Sequence, residues 1–142
     1  MPSKVLAKLF DAAGGVCAYC DCDTYLVTRE AEPDALRRFG IPDGLPGAIR
    51  ALRYREASRE HVVRSADGGK DDIGNLTLAC TFCNTARGEA TPEHHRAAML
   101  LLIAAELHPN HQAEASAMLD RRFRPALRSI RSAPLVHLAG AA

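Results

Sequence analysis

The chain has 142 residues, of which 47% are hydrophobic and 25% are charged, so it is long enough to fold as one domain with a buried core. Its formal net charge of +1 provides no overall attraction to a polyanion. The longest apolar run, residues 97–105, is too short to cross a bilayer, and the first ten residues lack the apolar stretch of a signal peptide. These features argue against a membrane partner and predict a cytoplasmic protein.

The N-terminal part of the chain predicts short elements around a turn. Apolar residues at helical spacing indicate a helix over residues 3–13, which the glycine pair 14–15 ends. Residues 25–28 are predicted to form a short strand. The stretch 29–57 is rich in proline and glycine around one helical piece at residues 34–39, and we interpret it as an insertion.

The middle of the chain predicts two strands followed by a helix. Residues 54–64 are predicted to form the first strand, and residues 76–79 return antiparallel to it as the second. The intervening residues 65–72 are dense in turn formers and predict a loop. A helix is expected over residues 81–87, with Gly88 as its natural end.

The C-terminal part of the chain is predicted to be helical. Thr91 opens a helix that ends before Pro109. Asn110 is predicted to cap another helix, which runs to about Phe123. The basic segment 126–132 predicts a last, short helix.

Four of the five cysteines form two C-x-x-C pairs, which predict a structural zinc site. Zinc prefers four tetrahedral ligands, and each C-x-x-C turn presents two thiolates to one ion. The long separation of the pairs is tolerable because the entropy of loop closure grows only logarithmically with length. The predicted ligands are Cys17, Cys20, Cys80 and Cys83, whereas Cys22 is expected to be a spare thiol. Four cysteines leave no position for substrate, so the zinc is expected to stabilise the fold only.

Polar residues between and around the cysteine pairs follow a specific order. They are Glu60–His61, the glycine pair 68–69, Asn75–Leu76 and Cys83–Asn84. Each element is common by itself, but together they resemble the HNH endonuclease family, in its zinc-knuckle branch. The resemblance runs from Glu60 to Gly88, and Cys17 and Cys20 add the other half of the knuckle.

This resemblance implies a fold. Members of the family wrap a β-hairpin and a helix around one divalent metal ion, an arrangement known as ββα-metal, and residues 54–88 fit it. The chain is therefore expected to be an α+β protein with a single domain over residues 1–142. Its core is stapled by the four-cysteine site, and a helical extension covers residues 91–132.

The resemblance also implies a chemistry, the hydrolysis of phosphodiester bonds in DNA. His61 would be the general base that takes a proton from the attacking water, a role that suits an imidazole near neutral pH. Glu60 and Asn84 would hold a catalytic Mg²⁺ or Mn²⁺ ion through oxygen atoms. Asn75 would brace the loop and orient the histidine, and Arg87 would contact phosphate.

The motif departs from the family's commonest form at two positions. Glu60 stands where aspartate is most often found, and Asn84 stands at the third motif position in place of histidine. Neighbouring side chains in a regular strand point to opposite faces. Glu60 and His61 can therefore both reach one ion only from a distorted strand, and we expect such a distortion at the strand end.

Positive charge is concentrated locally although the whole chain is nearly neutral. The segment from Arg121 to the C-terminus contains five arginines and no acid, and a second arginine group surrounds the motif. The residues predicted to bind DNA are Arg64, Arg87, Arg121, Arg122 and Arg124. The competing interpretation is that each of these arginines is an ordinary solvated surface residue.

The remaining titratable residues give weaker indications. Four of the five histidines outside the motif, which are His94, His95, His108 and His111, have no metal-ligand spacing and are expected at exposed polar positions. Asp71 and Asp72 are interpreted as turn residues rather than ligands.

Three functions compete at this stage. The first is an active DNA endonuclease, the second a catalytically inactive zinc-stabilised module that only binds nucleic acid, and the third a protein-interaction domain with a vestigial motif. Retention of His61, Asn75 and Asn84 favours the first, because a binding module needs no general base. The target is left open, as is a homodimer through the apolar residues 97–105. A phage-encoded member would act in the host cytoplasm.

Overall fold

The computed structural model describes residues 2–112 of the chain. In chain order the elements are α1 (Pro2–Ala12), α2 (Glu32–Arg38), α3 (Ala48–Arg53), β1 (Ala57–His61), β2 (Leu76–Cys80), α4 (Thr81–Ala86) and α5 (Pro92–Ala104). Short 3₁₀ turns lie at Ser65–Asp67, Ile73–Asn75 and Pro109–His111. Helices grouped around one antiparallel hairpin confirm the predicted α+β class.

The hairpin is the centre of the described fold. β1 and β2 pair antiparallel, with Ala57 opposite Cys80 at one end and His61 opposite Leu76 at the other. The first strand is shorter than the predicted 54–64, since Arg53 to Glu56 form a turn that leaves α3. The predicted order of strand, loop, strand and helix is confirmed.

Two helices cover the two faces of the hairpin. Side chains alternate along a strand, so Leu76 and Leu78 point to one face, where they pack with Leu9 of α1. Ala79 points to the other face and packs with Phe82 of α4. A five-residue strand can bury both faces in this way because each face needs only a few apolar side chains to make its core.

The helix α4 begins and ends where the sequence indicates. Its N-cap residue is Cys80, whose Sγ accepts a hydrogen bond of 3.4 Å from the Cys83 N–H. Gly88, two residues beyond the helix, has φ +57°, a conformation that glycine adopts without strain. The chain therefore turns away directly after the predicted helix.

The stretch 29–57 has a small apolar cluster of its own, in which α2 and α3 pack against Tyr25. The predicted strand over residues 25–28 is wrong, because only Tyr25 makes a β-bridge, to Glu56. The carbonyl of Leu26 accepts hydrogen bonds from the N–H groups of Arg29 and Glu30, and this turn directs the chain away from the sheet. That this stretch is an insertion stays a prediction.

The helix α5 matches the prediction for residues after Thr91. The Thr91 side chain caps it by accepting from His94 N–H at 3.3 Å, and it ends well before Pro109. Asn110 was predicted to cap a following helix, but in the described residues no helix begins directly after it. It is buried in a 3₁₀ turn, and its side chain donates to Tyr54 O at 2.7 Å.

The predicted helices beyond residue 112 lie outside the described residues, as do Arg121, Arg122 and Arg124. Within residues 2–112 none of the helices combines the length and the apolar character that a membrane span requires. The apolar run 97–105 belongs mostly to α5, where Met99 is fully buried and Leu100 is 43% exposed. A homodimer through this helix stays a prediction.

Candidate functional site

The two cysteine pairs meet at the open end of the hairpin, where β1 begins and β2 ends. Cys17 and Cys20 lie in the turn after α1, while Cys80 ends β2 and Cys83 lies in α4. All four are buried, and their Sγ atoms lie within 4.8 Å of one another. The two cysteine pairs are far apart in the sequence, and the hairpin brings the second pair next to the first.

The geometry of these four thiols fits a zinc ion. Four sulfurs at about 2.3 Å from zinc form a tetrahedron with edges of roughly 3.8 Å. The Cys20 and Cys80 Sγ atoms are 3.9 Å apart. Two of the sulfurs also accept backbone N–H hydrogen bonds of 3.4 Å, Cys17 from Tyr19 and Cys80 from Cys83, and such bonds stabilise thiolate. The four-cysteine cluster is compatible with zinc binding.

Two histidines expected at the surface are buried beside this cluster. His95 and His108 are both inaccessible to solvent, and burial lowers the pKa of each to about 4. His95 Nε2 donates to the Cys83 carbonyl at 2.7 Å. The error has a simple cause, since His95 shares the buried face of α5 with Ala98, Met99 and Leu102 at helical spacing. That spacing was the signal that could have identified it.

His108 forms a hydrogen bond to a zinc ligand of the predicted set. Its Nδ1 accepts from the Asn110 N–H at 3.1 Å, so the proton of the neutral ring lies on Nε2. That nitrogen is 3.3 Å from Cys83 Sγ and donates to it. No sequence signal indicates this contact, because the two residues are 25 positions apart and all of α5 lies between them.

At the loop end of the hairpin, where β1 ends and β2 begins, His61 lies beside an acidic side chain. His61 is the last residue of β1, and its Nε2 forms a hydrogen bond with Asp71 Oδ1 in the loop. The bond to His61 lowers the pKa of Asp71, and the charge of Arg59 acts in the same direction. The His61 side chain is 25% exposed, so solvent reaches it. Asp71, interpreted from the sequence as a turn residue, is thus a partner of the histidine.

Asn75 braces the loop that carries Asp71. Its side chain accepts from the Val63 N–H at 2.8 Å and donates to the carbonyls of Val63 and Lys70 at 3.0 and 2.9 Å. Gly69 permits the close approach this requires, because a Cβ there would lie only 1.8 Å from Val63 O. The catalytic role given to Asn75 stays a prediction, but its contacts fix the path of the loop.

Glu60 lies on the opposite face of β1 from His61 and is almost fully buried. Its Oε1 accepts from Arg87 Nη1 at 3.0 Å, and its Oε2 has no hydrogen-bond partner in the described part of the chain. Burial raises the pKa of Glu60, and the neighbouring Arg87 opposes this shift. A buried carboxylate oxygen without a partner is rare and calls for a ligand or a solvent molecule.

Arg87 does not have the exposed position that a phosphate contact needs. It is 4% exposed, and its guanidinium also donates to the carbonyls of His61, Val62 and Ala90. These bonds tie the end of α4 to the end of β1. The predicted DNA contact through Arg87 therefore has no support in this geometry, and the residue instead positions the strand end.

Asn84 lies on the same face of the hairpin as Glu60. Its Nδ2 donates to Ser58 Oγ at 3.0 Å and to the Arg59 carbonyl at 2.8 Å. Because a carbonyl only accepts, the contact with Arg59 O identifies the amide nitrogen as the atom that faces the strand. Glu60 Oε2 and Asn84 Oδ1 are hard oxygen donors, which suit a divalent cation such as Mg²⁺.

The strand end is regular and lacks the distortion that was expected. The register continues through Glu60 opposite Thr77 and His61 opposite Leu76, and Val62 N–H still donates to Asn75 O at 2.8 Å. Glu60 and His61 therefore face opposite sides, and one ion cannot contact both. In the described residues, the only groups of three or more His, Cys, Asp or Glu ligands are those around the cysteines.

Arg64 follows β1 in the loop of the hairpin and is partly exposed. Its guanidinium forms an ion pair with Asp67 of the first 3₁₀ turn, with Nε to Oδ2 at 2.9 Å. The charge that it offers to a phosphate is partly offset by this neighbour. Its predicted DNA contact stays a prediction.

Comparison with known proteins gives one finding that bears on this site. Residues 45–90 match the family model described as HNH endonuclease. Searches of curated proteins and of solved structures gave no significant match. The matched segment contains β1, the loop, β2 and α4, and with them His61, Asn75 and Asn84. Nuclease activity is the general function to which this match points, and the segment 45–90 is similar to the HNH endonuclease family.

Proposed function

We propose that the protein is a metal-dependent endonuclease that hydrolyses phosphodiester bonds in DNA, with His61 as the general base. The observation that carries this proposal is the solvent-accessible His61–Asp71 pair at the loop end of a hairpin that matches the HNH endonuclease family. A histidine that only stabilises the fold does not need an exposed carboxylate as a partner. A general base benefits from such a carboxylate, because it fixes the orientation of the ring and stabilises the protonated form of the histidine.

The hydrogen bond to Asp71 assigns the roles of the two ring nitrogens. With the proton on Nε2, which donates to the carboxylate, Nδ1 is left as the proton acceptor. His61 then takes a proton from the attacking water through Nδ1, and Asp71 stabilises the imidazolium that forms. Asn75 contributes by holding the loop that carries Asp71.

Glu60 and Asn84 are the proposed ligands of the catalytic Mg²⁺ or Mn²⁺ ion. Support comes from the unpartnered Oε2 of Glu60 and from the amide oxygen of Asn84 on the same face of the hairpin. When bound, such an ion polarises a phosphate oxygen and offsets the charge of the leaving group. His61 faces the other side of the strand, so its proposed partner is the water and not the ion.

The proposed substrate is DNA, held through phosphate contacts. The basic residues that would supply these contacts are Arg64 near the motif and the C-terminal group Arg121, Arg122 and Arg124. Phosphate contacts of this kind bind without reading the sequence. The proposal therefore concerns the bond that is cleaved and leaves the sequence preference open.

A plasmid-nicking assay tests the proposal. The parent should convert supercoiled DNA to nicked or linear DNA in Mg²⁺ or Mn²⁺ and not in EDTA. His61→Ala should slow cleavage by about 10²–10⁴-fold, the usual loss on removing a general base, with DNA affinity unchanged. The matched control is His94→Ala, a half-buried histidine on α5 outside the motif. A parent that binds DNA but does not cut it with any divalent ion would instead favour the inactive binding module.

The metal assignment is tested separately with Glu60→Gln. This change removes a negative charge from the proposed ion site, so the Mg²⁺ concentration at half-maximal activity should rise. Glu60→Asp keeps the charge and shortens the side chain, and it should recover activity at higher Mg²⁺ concentration. Unchanged cleavage by Glu60→Gln across the titration would mean that other residues hold the ion.

A further inference from the structure

Next to the four-cysteine cluster lies a second group of metal-ligand side chains. The ligand atoms of Cys20, Cys22 and His111 all lie within 4.8 Å of one another. Cys20 belongs to both groups, so the two groups share one sulfur. Cys22 is 4% exposed and His111 is partly buried, which keeps the group largely out of solvent.

One polar atom of this second group lacks a hydrogen-bond partner. Nε2 of His111 is buried, and no partner for it exists in the described part of the chain. The other histidine nearby, His108, is by contrast fully engaged through Cys83 Sγ and the Asn110 N–H. Buried ring nitrogens are normally satisfied, so the environment of His111 calls for a ligand that accepts a nitrogen lone pair.

The chemistry of the group selects the ligand. Two sulfurs and one imidazole nitrogen are soft and borderline donors, which suit zinc and disfavour magnesium or calcium. We propose that Cys20, Cys22 and His111 bind a second zinc ion, with the Cys20 thiolate bridging it to the zinc of the four-cysteine site. A solvent molecule completes the four ligands, and the Cys22 proton is released to solvent on binding.

The charge of the surroundings supports two ions here. Five buried thiols lie close together, and Arg55 is a cation whose charge interacts with Cys20, Cys22 and Cys80. Arg55 is itself held by Asn110, whose carbonyl accepts from Nη2 at 2.8 Å. A second Zn²⁺ brings two positive charges for one additional thiolate, so it lowers the negative charge that Arg55 and the more exposed Arg96 would have to offset.

The proposed ion also has a structural consequence. His111 lies in the 3₁₀ turn Pro109–His111 that follows α5, whereas Cys20 and Cys22 lie in the turn after α1. The zinc would therefore join the end of the described chain to the knuckle. Cys22, expected from the sequence to be a spare thiol, becomes a ligand.

Counting zinc tests this proposal without reference to nuclease activity. The full chain is saturated with ZnCl₂, freed of loosely bound ions by gel filtration and analysed by plasma mass spectrometry against protein concentration. The parent should retain two zinc ions per chain, and Cys22→Ser and His111→Ala should each retain one. His111→Cys preserves a soft ligand and should retain two, and the control His94→Ala should match the parent. Far-UV circular dichroism checks that each variant is folded.

Cobalt gives a second readout. Titration with Co²⁺ should produce thiolate charge-transfer absorption in two phases for the parent and in one phase for Cys22→Ser, because each phase reports one tetrahedral site. One zinc per saturated parent chain overturns the proposal. Two zinc ions in both the Cys22→Ser and His111→Ala proteins also overturn it, since the second ion would then lie elsewhere.

Discussion

The two ends of the β-hairpin differ sharply, although only five residues of each strand separate them. At one end Ala57 pairs with Cys80 within the buried cysteine cluster. At the other, His61 pairs with Leu76 and the chain enters an exposed loop in which Asp71 is 78% accessible. We refer to these as the cysteine end and the loop end.

The contacts at the cysteine end stabilise the fold, whereas the loop end contains the residue proposed to act as the general base. The cysteine end is held by thiols, by N–H···S hydrogen bonds and by the aromatic contact of Phe82 with His108, whose ring centroids are 4.7 Å apart. The loop end is held by polar contacts, chiefly those of Asn75 and of the buried Arg87. The buried cysteine end can therefore hold the solvent-accessible His61 in position at the loop end, because two short paired strands bend little between these ends.

The largest effect is expected from breaking the cysteine end. Cys80→Ser removes one of the four predicted zinc ligands and the N-cap sulfur of α4. Structural zinc contributes on the order of 10 kcal/mol to folding in small sites, which exceeds the stability of most domains. The variant should be insoluble or show no cooperative thermal transition by circular dichroism, and the parent should behave the same way after zinc is removed with a strong chelator.

Ser58→Ala serves as the control for this prediction, since Ser58 lies in the same hairpin and only its hydroxyl is removed. It should stay soluble and unfold cooperatively. A well-folded Cys80→Ser protein, or a well-folded parent without zinc, would show that the cysteine end does not depend on the metal.

The next largest effect concerns the buried ion pair that ties the loop end to α4. Arg87→Leu leaves Glu60 buried without its cation and removes the donors to three backbone carbonyls. Loss of one partner of a buried pair costs about 3–5 kcal/mol. Chemical denaturation should show this loss as a lower midpoint, and the double variant Arg87→Leu with Glu60→Leu should recover part of it. Arg64→Gln, which breaks the exposed pair with Asp67, should leave the midpoint unchanged.

The sequence predicted those features that depend on residue type and spacing. The four cysteines, the hairpin, the end of α4 at Gly88 and the Thr91 cap of α5 follow from local patterns, because zinc ligation and helix ends demand particular residues at particular separations. The match over residues 45–90 supports the motif that includes His61.

The features that were missed depend on the path of the chain in space. Arg87 was expected to contact phosphate, and no local pattern shows that the end of α4 turns it onto Glu60. The contact of His61 with Asp71 depends on how the loop of residues 62–75 folds back, and the burial of His108 depends on where the chain after α5 packs. Pairwise contacts of this kind leave no periodicity in the sequence.

A smaller effect is expected from the exposed partner of the histidine. Asp71→Asn keeps the shape of the side chain but removes the charge that would stabilise the protonated His61. Because solvent screens an exposed carboxylate, kcat should fall by no more than about tenfold, less than the loss on removing the base itself. KM should not change, since Asp71 is not proposed to bind DNA, and Asp71→Glu should restore most of the rate.

The neighbouring Asp72 provides the matched control in the same exposed loop. Asp72→Asn removes an equal charge close to the proposed active site, and within the described residues Asp72 forms no hydrogen bond or ion pair with His61. Equal losses of kcat in both variants would mean that the loop acts through its overall charge. The proposed positioning role of Asp71 would then be lost.

The smallest effect per residue is expected for the C-terminal arginines, which extend the comparison to binding. If Arg121, Arg122 and Arg124 contact phosphates, replacing all three by glutamine should reduce the slope of log K against log salt concentration by up to about 2–3 units, since each contact releases counterions and contributes roughly 0.9. Fluorescence anisotropy with a labelled duplex measures this slope between 50 and 200 mM NaCl, a range over which the effect is large. Cleavage at saturating DNA should be unchanged, because phosphate contacts of this kind affect binding and not the proton transfer at His61.

Arg50→Gln, at an exposed position on α3, is the single-charge control. An unchanged slope in the triple variant would assign these arginines to surface solvation and leave DNA binding to the loop end.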